Sequence, residues 1–76
     1  MPNYDVWMEG YSATGDYAPD RYMGEYSAKS FKDACMKAMR NHGFKEEDIK
    51  KYYNRERNTF WGCRFFDHNP HHFFRW

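Results

Sequence analysis

The stretch from Ser30 to Phe44 constrains the fold most, because its start, its face and its stop agree. Phe31, Ala34, Cys35, Ala38, Met39 and His42 recur at the i, i+3, i+4, i+7, i+8, i+11 spacing of one helical face. Lys32, Asp33, Lys37, Arg40 and Asn41 fill the remaining positions. Ser30 can act as N-cap through its hydroxyl, with Asp33 three residues on as a variant of the capping box. Gly43 can take the left-handed conformation that ends a helix, and Phe44 can fold back onto the last turn.

A helix with one apolar face needs a surface to bury it against, and the flanking segments read as strands. Residues 3–11 place Tyr4, Val6, Met8 and Gly10 on one face and Asp5, Trp7, Glu9 and Tyr11 on the other. The Val6 face is expected to meet the helix, with the Trp7 face partly exposed. Residues 21–28 alternate again, Tyr22, Gly24, Tyr26 and Ala28 against Met23, Glu25 and Ser27. Gly24 signals a bulge or a place where a ring packs over the backbone. Between these strands, residues 12–20 form a loop by their Gly, Pro and Asp content, longer than a tight hairpin needs. Such a loop either carries function or simply connects.

Past the helix, residues 45–51 can make a short helical turn anchored by Ile49, and Tyr52, Tyr53 and Asn54 a short third strand. Residues 55–58 read as a turn and residues 59–67 as a fourth strand. On that strand Trp61, Cys63 and Phe65 oppose Phe60, Gly62, Arg64 and Phe66, so it is either central or meets a partner on one face. The expected fold is α+β with the order β-β-α-β-β, one helix packed on a four-stranded antiparallel sheet. Residues 1–67 form the single domain, and residues 68–76 an aromatic, His-rich C-terminal tail.

Composition decides what fills the core. The 76 residues include no leucine, with Val6 and Ile49 alone of their kinds, yet 22% are Phe, Tyr or Trp. Rings, methionine and alanine must therefore make the core, and rings are left over for the surface. Phe73, Phe74 and Trp76 are costly to leave in water and are expected to form an interface, on the same molecule or in a homodimer or larger oligomer. A formal net charge of +1 gives no bulk attraction for duplex nucleic acid or an anionic membrane, and no basic stripe is legible. No apolar run approaches the ~20 residues of a membrane span, and the first residues lack the pattern of a secretory signal. A cytoplasmic location is expected, in the host cell if the chain is phage-encoded. Cys35 and Cys63 read as buried free thiols, without the spacing of a zinc or redox motif.

The segments Tyr4-Asp-Val-Trp-Met-Glu-Gly-Tyr-Ser-Ala-Thr-Gly15, Ser30-Phe-Lys-Asp-Ala-Cys35 and Trp61-Gly-Cys-Arg-Phe-Phe-Asp67 resemble those of small, uncharacterised proteins of bacterial and phage genomes. The resemblance covers most of the chain up to Asp67 and implies an origin and a fold, with no activity attached. The hairpin-then-helix order is also similar, at fold level alone, to HicB-like antitoxin domains and double-stranded-RNA-binding domains. The helix lacks the basic N-terminal cluster of the RNA binders.

Three constellations could carry chemistry. His68, His71 and His72 could ligate a metal, but no second cluster completes a tetrahedron, and no metal or other cofactor is expected. Glu9, Glu25 and Asp67 could do acid–base work, but nothing in the pattern fixes a pocket around them, and no catalytic residue is assigned. Rings interleaved with arginine are the third: Trp7, Tyr11, Tyr17, Tyr22 and Trp61 with Arg21, Arg55, Arg57 and Arg64. Trp7, Tyr11, Thr14, Tyr17, Arg21, Trp61 and Arg64 are the candidate ligand-binding residues, with rings stacking on a base and guanidinium groups holding phosphate. The competing reading is that rings replace missing leucines in the core and arginines keep the surface soluble. The expected function is a non-enzymatic, phage-type binding protein that captures a nucleotide-like ligand, sequestering a host defence signal. The alternative is a protein–protein module that inhibits a host protein by docking on it through exposed aromatics.

Overall fold

The computed structural model describes residues 1–10 and 20–67. The expected α+β class holds, with a richer inventory: five antiparallel strands and two helices instead of four strands and one helix. In chain order these are β1 (Asn3–Met8), β2 (Arg21–Ser27), α1 (Phe31–Asn41), α2 (Glu46–Tyr52), β3 (Tyr53–Asn54), β4 (Thr59–Phe60) and β5 (Cys63–Phe66). The strand order across the sheet is β2-β1-β5-β4-β3.

The helix at the centre of the chain forms as its sequence dictates. Ser30 is extended and its hydroxyl accepts the Asp33 N–H at 3.2 Å, satisfying one of the free donors of the first turn. At the other end Gly43 takes φ 83°, Phe44 N–H reaches Met39 O at 3.0 Å and Gly43 N–H reaches Arg40 O at 3.1 Å. These are the paired bonds of a Schellman ending. Ala34, Cys35, Ala38 and Met39 are buried; their mostly small side chains let α1 lie close on β1 and β2. His42 is exposed as a residue, but its Nε2 donates to the Met23 carbonyl at 2.8 Å, tying the end of α1 to β2.

Both readings of Gly24 prove right. The register against β1 slips between Val6 and Trp7, so that Val6 faces Gly24, Trp7 faces Tyr22 and Met23 bulges. Gly24 has φ 115°, and a Cβ there would lie 3.1–3.3 Å from the Tyr26 ring. The bulge reverses the alternation expected for this strand. Met23, grouped with Glu25 in the sequence, turns into the core with Val6, while Tyr22 turns outward.

The fourth strand expected over residues 59–67 is instead a hairpin. Trp61 and Gly62 both have positive φ, 55° and 79°, as in a two-residue primed turn between β4 and β5. Trp61 therefore leaves the Cys63–Phe65 face and stands 53% exposed. Strand β5 is central: Cys63 and Arg64 pair with β4, and Phe65 and Phe66 with β1. Its Cys63 and Phe65 are buried, and both cysteines are free. Burial pushes the Cys35 thiol up to about 11, and the Cys63 thiol is raised by the same cause, so neither is poised as a nucleophile.

Helix α2 has acidic residues in its first turn and lysines in its last, matching the helix dipole, and Ile49 is its one buried residue. No helix among the described residues is long and apolar enough to cross a membrane. The 68–76 tail and the expected loop up to Pro19 lie outside the described residues.

Candidate functional site

Helix α1 covers one face of the sheet. The opposite face carries the side chains that alternate away from it. Asp5 and Trp7 of β1 stand there, opposite Glu25 and Tyr22 of β2. Trp7 is also directly opposite Phe66 of β5, and directly opposed residues share a face. The result is a row of three rings, Tyr22–Trp7–Phe66, across three adjacent strands.

The row is held in place. Trp7 and Tyr22 have ring centroids 4.9 Å apart at 45°. The Tyr22 hydroxyl donates to Asp5 Oδ1 at 2.8 Å, which holds the phenol above its usual range. Arg64 lies over the Phe66 ring at 5.2 Å and bonds Glu9 Oε2 at 3.2 Å. Glu9 returns a second contact, its other carboxylate oxygen accepting the Arg64 N–H at 3.3 Å. Nearby, the Gly10 N–H donates to Asp20 Oδ1 at 3.2 Å.

The seven candidate residues divide accordingly. Trp7 and Arg64 come together on this face. Arg21 opens β2 opposite Met8 and is exposed. Trp61 belongs elsewhere, its ring 4.7 Å from Tyr52 of α2, in a second cluster that continues through Phe60 to Phe44. Tyr11, Thr14 and Tyr17 lie outside the described residues, as do the interface candidates Phe73, Phe74 and Trp76 and the histidines of the tail. Tyr22 belongs to the ring-and-arginine pattern but not to the seven candidates, and Phe66, the Arg64-side ring of its strand, is in neither; the bulge at Met23 is what turns Tyr22 onto the Trp7 face.

Charge on this face runs against phosphate. Asp5, Glu9 and Glu25 stand on it, and Arg64 is already matched by Glu9. Among the described residues no three His, Cys, Asp or Glu side chains are grouped to hold a metal ion. Glu9 and Glu25, considered for acid–base work, are respectively ion-paired and exposed.

Compared with protein-family models, curated proteins and solved structures, the chain matches none.

Proposed function

We propose that this chain is a binding module that acts by docking, and that the open face of the sheet is its contact surface. The observation that carries this is the Tyr22–Trp7–Phe66 row, three rings fixed by backbone register on three neighbouring strands. Tyr and Trp anchors of this kind dominate interface energetics because they bury large, rigid areas at little entropic cost. The rim of Asp5, Glu9 and Glu25 selects the occupant: a segment of a partner protein with apolar side chains for the rings and lysine or arginine for the carboxylates. A host protein is the partner this reading takes if the chain is phage-encoded. A nucleotide-like ligand fits this face poorly, since Asp5 and Glu25 would confront its phosphates while Arg64 is held by Glu9.

The test compares the wild-type chain with Trp7→Ala and Phe66→Ala on an immobilised surface, using host lysate and then the purified partner. The expected result is one saturable partner whose affinity falls about 100-fold in Trp7→Ala, as for a central anchor. A partner held equally well by Trp7→Ala, or no saturable partner, would refute the docking reading. Light scattering checks the competing occupant, a second copy. An oligomer that dissociates in Trp7→Ala would assign the face to self-association.

A further inference from the structure

A group of four cations lies away from the ring row, on which Arg64 stands over Phe66. Lys29 follows β2, Lys37 and Arg40 stand on α1, and Arg55 lies in the turn after β3. All four line one open groove of about 470 Å³ together with Met1, Ala28, Asp33 and Met36. Four cations thus line the groove against two carboxylates, Asp33 in its lining and Glu46 paired with Arg40 beside it, in a chain whose net charge is only +1.

The groove is organised before anything enters it. Arg55 is held by Asp33 at 3.2 Å. Arg40 makes a two-point contact with Glu46, 2.8 Å from Nε and 3.0 Å from Nη2. The Lys37 ammonium donates to the Ser27 carbonyl. Each cation keeps further N–H donors, because a guanidinium has five and an ammonium three. Pinning long side chains in advance lowers the ordering cost of binding. Met36 and Met1 add a soft, polarisable apolar wall beside the charges.

We propose that this groove binds a small ligand carrying two or more phosphate groups next to a flat apolar part, the chemistry of a nucleoside di- or triphosphate. Several cations spread around one groove suit a polyvalent anion better than a single carboxylate. The volume lies within the roughly 300–1,000 Å³ of small-molecule sites. It is too local for a nucleic-acid duplex, which needs an extended basic track. This inference is independent of the sheet face, and the two can fail separately.

Isothermal titration of the full chain with ATP, sodium pyrophosphate, adenosine and a short single-stranded RNA tests it. ATP is expected to bind more tightly than pyrophosphate, adenosine not at all, and affinity to fall as salt is raised. Lys37→Ala should weaken ATP binding about tenfold, the loss of one charge-assisted contact, and Lys29→Ala/Lys37→Ala further. Both lysines are exposed, so these variants should keep the wild-type circular dichroism. Trp7→Ala should bind ATP as the wild type does. The proposal is overturned if neither ATP nor pyrophosphate gives heat up to millimolar concentration, or if adenosine binds as well as ATP. It is equally overturned if the double lysine variant binds unchanged, if Trp7→Ala abolishes ATP binding, or if RNA binds without competition from ATP.

Discussion

The open face of the sheet and the groove beside α1 are both exposed and both rich in side chains that recognise ligands, yet they are assembled differently. Tyr22, Trp7 and Phe66 line up because backbone pairing places them opposite one another. Lys29, Lys37, Arg40 and Arg55 come from three separate segments and meet through long side chains, three of them tethered by a carboxylate or a carbonyl. The first surface is apolar with an acidic rim; the second is cationic with a small apolar wall. The fold puts Trp7, Tyr22 and Phe66 on one surface with Arg64 paired to Glu9, and puts Lys29, Lys37, Arg40 and Arg55 on another.

If the ring row is a contact surface and not a second core, removing its rings must cost much less than removing a side chain beneath α1. Met39 is fully buried, and Met39→Ala should destabilise the chain by about 2–5 kcal/mol in urea unfolding. Trp7→Ala should cost clearly less, the ring-pair contribution of roughly 0.5–1.5 kcal/mol plus part of its burial. Equal losses would mean that the row is covered, and the contrast between the surfaces would collapse.

The layer between the two surfaces has its own reporter. Cys35 is held protonated up to about pH 11 by burial, against an ordinary thiol value near 9. In this window the unfolded chain has lost the proton and the folded chain keeps it, so stability is full below about pH 9 and declines as pH rises towards 11. The decline amounts to about 3 kcal/mol for this group. Tyr53, raised to about 12 mainly by burial, adds to the loss at the upper end. Thermal melts of the wild type and Cys35→Ala across this range check it, with the variant showing the shallower fall. An identical fall in both would show that the layer under α1 admits water.

How legible these features were depends on the range of the contacts that make them. Ser30, the apolar face of α1 and the Gly43–Phe44 ending are local, and each could be read from residues a few positions apart. The Val6 face of β1 and the Cys63–Phe65 face of β5 followed from alternation. Alternation failed where positive φ breaks it, at the Gly24 bulge and at the Trp61–Gly62 turn, and both failures moved an aromatic residue to a different surface. Gly62 after a bulky Trp61 is a weak turn signal beside Asn-Gly, so a continuous strand was the natural reading. The basic groove was not legible at all. Asp33, Lys37 and Arg40 share the solvent side of α1, but Arg55 reaches them only through the packing of the β3–β4 turn against that helix.

Smaller effects separate the two surfaces further. Ser30→Ala removes the cap that fixes the first turn of α1 and should cost about 1 kcal/mol. Because Lys29 and Asp33 flank that cap, ATP affinity should drop while partner docking on the ring row is unchanged. A matched loss at both surfaces would mean that the variant had loosened the whole fold.

The smallest expected effect lies at Arg40 and Glu46. Glu46 is held below the usual carboxylate range by its hydrogen bonds from Arg40, and both side chains are solvent-exposed. Its contribution is present at neutral pH and is lost as pH falls through its lowered value, so the acid limb of the stability profile should flatten slightly in Glu46→Gln. The same substitution removes a negative charge from beside the groove. If Arg40 serves the anion directly, Glu46→Gln should bind pyrophosphate at pH 7 more tightly, with stability almost unchanged. If instead the carboxylate is needed to aim the guanidinium, binding weakens even though the groove has become more positive. The sign of that change decides whether the groove works by charge alone or by the placement of its donors, while the ring row on the far side of the sheet should not respond to either.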